Sequence, residues 1–491
     1  MSHEPAIVII GAGIGGIGAA IKLREAGFHD LSIVEKSHDF GGTWLDNTYP
    51  GAACDVPAHL YTLSFEPNPD WTETFAGQPE ILAHLQATAA KHELADITRF
   101  GCEIAAAVWD HEATEWTLTT TEGDEIRADV VVSGLGQLNR PSVPPIPGLF
   151  DFAGTTFHSA RWNHDHDLAG RRVAVIGTGA SAVQFVPEIA PEVAHLDLYQ
   201  RSANWVMPRE NPPIDEKRRR RYRRVPGARR LRRLAIYLQF EVLMNQLFNT
   251  GSMINRRATQ EAETYLAEAV PDPELRAALT PDYPIGCTRV LAHSGWYPTL
   301  QRDDVDVVTT GIREVVADGI VTDDGVHHPA DTIIFGTGFA TNDFLAPIDF
   351  IGRDGISIRR RWAQGAEAHL GVTVADFPNL FLLYGPNTNL GHNSIIFMIE
   401  QQIGHIVGLL ERMRDEGIDA IAVRRHVQDR FNRRVQQRMN KRVWVTSCSS
   451  WYKNEAGKVV NNWPGSTVDY WWKCRRRVDL ADYDAVRATV D

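Results

Sequence analysis

The stretch that decides the fold is Ala6-Ile-Val-Ile-Ile10, then Gly11-Ala-Gly13-Ile-Gly-Gly16, then Ile17 to Ala26, and finally Leu31-Ser-Ile-Val34-Glu35. The first apolar run reads as a buried parallel strand, the glycines as a tight turn, and Ile17 to Ala26 as a helix leading to a second strand. A lone GxGxxG is weak evidence. Here it stands in a full βαβ context, with a carboxylate about 20 residues further on. Gly11, Gly13 and Gly16 let backbone N–H groups approach a pyrophosphate at the helix N-terminus, and Glu35 is placed to accept hydrogen bonds from a ribose diol.

The pattern recurs once. Arg172-Val-Ala-Val-Ile176 leads into Gly177-Thr-Gly179-Ala-Ser-Ala182, a helical stretch to about Ala190, and the strand Leu196-Asp-Leu-Tyr199. Gln200 takes the carboxylate's place and Arg201 follows. A carboxylate would repel a 2′-phosphate and an arginine can pair with one, so the first site suits a free ribose diol and the second suits NADPH. Two dinucleotide sites in one chain point to electron transfer between cofactors, with FAD and NADPH the expected pair.

The expected fold class is therefore α/β: two nested Rossmann-like dinucleotide-binding domains, the FAD domain interrupted by the NADPH domain, with a helical insertion. Residues 1–150 are expected to form the first part of the FAD domain. Residues 151–208 and 286–330 would form the NADPH domain, 209–285 the helical insertion, and 331–491 the rest of the FAD domain with a C-terminal segment. Thr332-Ile-Ile-Phe335-Gly336-Thr-Gly338 reads as the first strand of that return, and Asn379 to Tyr384 as another.

Composition is ordinary for a soluble globular protein. The chain has 491 residues, 43% hydrophobic and 23% charged, with a formal net charge of −12, which argues against nucleic acid as a partner. Five cysteines stand without any CxxC, so neither a zinc site nor a redox dithiol is expected, and no metal is assigned. The first apolar run is too short for a cleaved leader, and no run is long enough to span a membrane. The expected location is the cytoplasm, in a reducing compartment. Residues 217–233 carry eleven Lys or Arg and no acid, and Leu234 to Phe248 is rich in apolar residues. Two readings follow: peripheral membrane contact through 217–250, or an insertion that packs its apolar face on the body and turns its arginines to water. The second is preferred.

Three further patterns carry the chemistry. Phe152-Ala-Gly154-Thr-Thr-Phe-His158-Ser-Ala-Arg-Trp162 spells FxGxxxHxxxW ahead of the second glycine turn. Gly41-Gly42-Thr43-Trp44 is followed by Tyr49-Pro50-Gly51 and Asp55, and Tyr283-Pro-Ile-Gly286-Cys-Thr288-Arg289 forms the third. Together they resemble the flavin-dependent Baeyer–Villiger monooxygenases, over nearly the whole chain to Ser450-Trp451-Tyr452.

The resemblance implies an enzyme that uses FAD, NADPH and O2 to insert one oxygen atom beside a ketone carbonyl through a C4a-peroxyflavin, giving an ester or lactone. It implies that Arg289 is the fixed cation beside the peroxide anion and that Asp55 orients it. Thr43, Trp44, Asp55 and Trp451 are implied to contact cofactor, and Phe152, Gly154, His158 and Trp162 to coordinate domain movement. The chain departs from the family by having Asn163 after the tryptophan. It also has Thr288 where many members carry a lysine, which shifts the 2′-phosphate contact onto Arg201. Trp296, Phe397 and Trp451 are candidates for the pocket wall. The ketone and the oligomeric state are not legible.

An N- or S-oxygenating flavin monooxygenase shares both fingerprints but needs no peroxyanion arginine. A disulfide reductase would need a cysteine pair near the first helix, and Cys54 has none in sequence. A non-enzymatic, membrane-docked flavoprotein would rest on the basic run alone.

Overall fold

In this computed structural model residues 4–446, 450–475 and 479–487 are described. Two parallel five-stranded sheets form its frame. The first runs in the order Leu380–Leu382, Val130–Ser133, Ile7–Ile10, Leu31–Val34, Thr98–Arg99. The second runs Val305–Val308, His195–Tyr199, Arg172–Ile176, Thr332–Phe335, Thr155–His158. Ile7–Ile10 and Val130–Ser133 in the first sheet and Thr332–Phe335 in the second are buried at every position, which is why they read as unbroken apolar runs rather than alternating ones.

Each sheet is sandwiched. Helix Ile14–Glu25 and the long helix Ile395–Glu416 cover one face of the first sheet, and the antiparallel strands Ile104–Asp110, Glu115–Thr120 and Glu125–Ala128 cover the other. Helix Ala180–Ile189 covers the second sheet, opposite the meander Ile312–Val316, Gly319–Thr322, His327–Pro329.

Three expectations need correction. Thr332–Phe335 does not begin the return to the first sheet. It pairs with Arg172–Ile176 and Thr155–His158 inside the second sheet, and the first sheet is rejoined only at Leu380–Leu382. The two sheets use the same local grammar: Gly134 follows the strand beside Gly11, and Gly336 follows the strand beside Gly177. A Cβ on Gly11 (φ +104°) would stand 2.8 Å from the Gly134 carbonyl oxygen, and one on Gly177 (φ +103°) 2.7 Å from that of Gly336. Pattern alone could not say which sheet owned residues 332–335.

The second correction concerns cysteine. Cys54, Cys102 and Cys474 are free and buried, whereas Cys287 is disulfide-bonded, which a chain read as belonging to a reducing compartment does not lead one to expect. The third concerns the insertion. It folds as helices Glu216–Arg224, Ala228–Gln239, Met253–Ala269 and Pro273–Ala278, with a π-helical stretch Phe240–Met244, yet its apolar residues do not all pack on the body: Leu231, Leu234, Leu238, Val242 and Leu243 are exposed.

Helix Ile395–Glu416 ends at Gly417, whose left-handed φ of +62° lets the Ile418 N–H donate to the Met413 carbonyl at 2.9 Å. Within it His405 is buried, with Nδ1 3.2 Å from the Cys474 carbonyl oxygen, and burial lowers its pKa to about 4. His59 and His158 are lowered to about 4 by the same cause. The unfolded chain takes up these protons near pH 6.5, before the folded one does. The contribution is therefore whole above pH 6.5 and lost as pH falls towards 4. Thermal midpoints should fall steeply from pH 7 to pH 5, and His405→Gln should flatten that slope. A midpoint independent of pH over this range would contradict the assignment.

Candidate active site

Both helix N-termini that face the glycine turns are left open. Gly13 caps Ile14–Glu25 and Gly179 caps Ala180–Ile189. Neither helix has a side-chain cap or an acidic residue in its first turn. Unused N–H groups at a helix start are a binding surface for phosphate oxygens. A Cβ on Gly16 would lie 1.9 Å from the Gly11 carbonyl oxygen, so helix and turn approach closer than any side chain permits. In the second unit Ala182 stands at the matching position, fully buried, with its Cβ 3.1 Å from the ideal Cβ position on Gly336.

Glu35 is buried at the end of its strand, where Oε2 accepts from the Ala12 N–H at 2.6 Å and Oε1 from Ser37 N–H at 2.8 Å. The Gly41-Gly42-Thr43-Trp44 turn closes over the first glycine loop. Gly41 N–H donates to the Ala12 carbonyl at 3.1 Å, and a Cβ on Gly42 would lie 2.9 Å from Gly13 Cα. Gly11, Gly13, Glu35, Thr43 and Trp44 are thus brought to one place, with an open helix start and a carboxylate. These residues fit an FAD with its pyrophosphate on the turn.

Arg289 and Asp55 lie 234 positions apart in sequence and meet as a bidentate pair. Arg289 Nε donates to Asp55 Oδ2 at 2.8 Å, and Nη2 reaches Oδ1 at 2.6 Å and Oδ2 at 2.5 Å. About a third of each side chain remains open, 37% for Arg289 and 30% for Asp55. Asp55 raises the guanidinium pKa further, against the opposing effect of burial. Burial pushes the Asp55 carboxyl up, but Arg289, with Arg209 adding to it, outweighs that and holds it below its ordinary value. Both groups stay charged at neutral pH.

Three tyrosines missed in the sequence lie in the electrostatic field of this pair. Tyr384 and Tyr452 lie in the field of Arg289, and Tyr61, which accepts from Trp44 Nε1 at 3.2 Å, lies in that of Asp55. Burial raises Tyr452 to about 12 against the Arg289 charge, so it stays a neutral donor. Tyr384 sits at φ +59°, a strained value for a side-chain-bearing residue. It is held there by its N–H donating to Gln402 Oε1 at 2.8 Å and its hydroxyl to Asn389 Oδ1 at 2.7 Å. The Tyr384-Gly-Pro turn was its only sequence signal. Trp451 packs on Tyr452 at 4.4 Å between ring centroids and so borders the group. Trp296 is buried in the core of the second sheet, and Phe397 packs on Tyr237 at 5.3 Å, so neither is placed beside Arg289 by its contacts.

The FxGxxxHxxxW segment lies between the two dinucleotide units. Gly154 admits no side chain, since a Cβ would stand 2.3 Å from the Asp331 carbonyl oxygen and 2.6 Å from the Phe152 ring. Trp162 packs on Phe157 at 5.1 Å and on Phe185 of the second helix at 5.3 Å. Arg161 pairs with Asp46 at 3.4 Å, and Thr48 contacts His164 at 2.7 Å, tying the segment to the Gly42–Asp55 loop. From the same helix Gln184 accepts from the Tyr49 hydroxyl and donates to the Ala53 carbonyl, both at 2.9 Å. His158 Nδ1 accepts from the Ala160 N–H at 3.0 Å, and the ring meets Phe339 edge-on at 5.9 Å. It is not in contact with the Arg289–Asp55 pair.

Arg201 stands exposed just past strand His195–Tyr199, whose Tyr199 carbonyl accepts from Gly177 N–H at 3.0 Å. Thr288 reaches the same strand end indirectly: its hydroxyl donates to Tyr283 at 3.1 Å, and the Tyr283 hydroxyl donates to the Ala203 carbonyl at 2.7 Å.

Residues 8–222 match the model of a family described as pyridine nucleotide-disulphide oxidoreductase. That span holds both glycine turns, but the chemistry in the description needs a cysteine pair, and Cys54 is free. Over 484 residues the chain is 44% identical to a Baeyer-Villiger monooxygenase of Pseudomonas aeruginosa, covering 97% of this chain and 90% of that one. The chain belongs to the Baeyer–Villiger monooxygenase family. It is an FAD- and NADPH-dependent enzyme that converts ketones to esters or lactones. Among solved structures it is similar to closed cyclohexanone monooxygenase, with a TM-score of 0.89 at 29% identity, covering 99% of this chain and 100% of that one. It is also similar to OTEMO in complex with FAD and NADP, with a TM-score of 0.88 at 26% identity over 99% and 100% of the two chains. These are full-length likenesses, so the family assignment rests on the whole architecture and not on one fingerprint. No helix among the described residues is long and apolar enough to cross a membrane.

Proposed function

We propose that Arg289, oriented by Asp55, is the cation that stabilises negative charge on oxygen as it is transferred to the ketone carbonyl. The bidentate geometry of this pair, with about a third of the Arg289 side chain still open, is the observation that carries the reading. Bound FAD and NADPH supply the reducing electrons that activate dioxygen. The chain's part is to hold a permanent positive charge at that place. Arginine suits this because it stays protonated when partly buried, and its fork leaves N–H donors free after Asp55 is satisfied. Tyr384, half-buried, and Tyr452, buried, lie in the field of the same guanidinium and stay neutral.

Gly11, Gly13, Gly16, Glu35, Thr43 and Trp44 are assigned to FAD, and Gly177, Gly179, Ala182 and Arg201 to NADPH, with Trp451 at the nicotinamide side. Phe152, Gly154, His158 and Trp162 are assigned to coupling movement of one dinucleotide unit to the other. The bonds Arg161–Asp46 and Thr48–His164 support that reading. Trp162→Ala should keep its flavin but lower the ester formed per NADPH about tenfold, since the wall between the two units loses its packing. The same coupling as wild type would remove the assignment.

Asp55→Asn tests the pair. It keeps the shape of the site but replaces a charge-assisted fork with a neutral acceptor on one side. Turnover to ester should fall about 10- to 100-fold while the KM for ketone and the anaerobic rate of flavin reduction stay near wild type. Unchanged turnover would make Arg289–Asp55 a structural ion pair.

A further inference from the structure

We propose that the helical insertion docks this enzyme on an anionic phospholipid bilayer. Helix Ala228–Gln239 and the π-helical turn that continues it bury Ala228, Ile236 and Glu241 against the body. On the opposite side Leu231, Leu234, Leu238, Val242 and Leu243 are between 49% and 68% exposed. Spacings of three and four residues place Leu231, Leu234, Leu238 and Val242 along one stripe.

The stripe does not stand alone. Helix Thr467–Arg475 is tied to this element through Thr467. Its hydroxyl meets that of Tyr237 at 2.7 Å and Glu241 Oε2 at 2.6 Å, and its N–H donates to Glu241 Oε1 at 2.8 Å. That neighbouring helix exposes Val468 and Trp472, four residues apart, at 50% and 67%. A run of large apolar groups this open is uncommon on a soluble surface and marks a place where something docks. Tryptophan is the side chain best suited to a bilayer–water boundary.

The charge beside it says what docks. Residues 217–233 hold eleven Lys or Arg and no acid in a chain of net charge −12. Several are used internally: Arg218 with Asp215, Arg219 and Arg220 with Glu216, and Arg223 with Asp70. Arg229 donates to the Pro67 carbonyl, and Arg233 to those of His59 and Thr62. Lys217, Arg221, Arg224, Arg230 and Arg232 are exposed and make no ion pair among the described residues. Arg230 and Arg232 directly flank Leu231. Cations left unpaired around an open apolar stripe match a surface of acidic headgroups over acyl chains, which a protein groove or a free phosphate would not offer together. A substrate that partitions into lipid would be met at that surface, although the docking does not depend on it.

The test is co-sedimentation of the FAD-loaded protein with vesicles of phosphatidylcholine alone and with 30 mol% phosphatidylglycerol. Binding is expected to the mixed vesicles and not to phosphatidylcholine alone, and to fall at least tenfold in 0.5 M NaCl. Leu234→Asp with Leu238→Asp should abolish it while leaving flavin content and turnover of a water-soluble ketone unchanged. Lys217→Glu, Arg230→Glu and Arg232→Glu should remove the lipid-charge preference with the stripe intact. Failure to bind the anionic vesicles, or binding undiminished in both variants, overturns the proposal. So does a change from dimer to monomer on Leu234→Asp/Leu238→Asp without any vesicle binding in wild type, since the stripe would then be covered by a second copy.

Discussion

Arg289→Ala is expected to leave NADPH reduction of the flavin near the wild-type rate and to lower ester formation by about a thousandfold, with oxygen diverted to hydrogen peroxide. The pair geometry sets this expectation. Arg289 is the charge that Asp55 grips at three donor–acceptor distances of 2.5–2.8 Å, and about a third of its side chain stays open. Removing one preorganised donor from an oxyanion site costs about 10²–10³ in rate, and this donor carries a full charge. The loss also leaves Asp55 without its partner, so its pKa rises and a negative charge stands where a positive one is needed. Stopped-flow reduction under argon, product mass in air, and peroxide assay separate the steps. Arg289→Lys should recover only part of the rate, because one ammonium cannot both satisfy Asp55 bidentately and present a free donor. If Arg289→Ala made ester as fast as wild type, the role assigned to this residue would be wrong.

The second large effect is expected in cofactor choice. Arg201→Glu should raise the KM for NADPH on the order of 100-fold and change that for NADH far less. A charge-assisted hydrogen bond contributes about 1.5–3 kcal/mol, and reversing the sign adds repulsion. Arg201 is exposed and lies just past the strand that carries the second glycine turn's partner, with Thr288 tied to the same region through Tyr283. Thr288→Lys should act in the opposite direction, lowering the KM for NADPH. Steady-state kinetics with both nicotinamides would read the two variants together. An equal change for NADPH and NADH in Arg201→Glu would show that this arginine does not meet the 2′-phosphate.

How far the sequence reached depended on how local each signal was. The glycine turns are legible because a strand, a close approach of two backbones and an open helix start all lie within one short segment. Glu35 follows at a spacing set by the helix between. Arg289 and Asp55 lie 234 positions apart, and no periodicity joins them. Only the longer motifs around each implied that they meet.

Tyr384, Tyr452 and Gln184 were invisible as site residues because they act through contacts made by folding, and each sits in a stretch that reads as strand end, loop or helix. Residues 332–335 were assigned to the first sheet because a strand ending in Gly-x-Gly occurs in both. Which sheet receives such a strand is decided by long-range pairing. The insertion departs from its expected packing for a related reason. Its sequence shows an apolar set and a basic set, but not that Ile236 and Glu241 turn inward while Leu234 and Leu238 turn out.

The most direct measurement is product analysis with the purified, flavin-loaded enzyme under labelled dioxygen. NADPH and a panel of aryl, aliphatic and cyclic ketones would be supplied, and product mass read alongside NADPH consumed. The account predicts that at least one ketone becomes an ester or lactone carrying one labelled oxygen atom, with about one NADPH used per product. Ketones left untouched while an amine or sulfide takes up the label, or all consumed oxygen recovered as hydrogen peroxide, would contradict it.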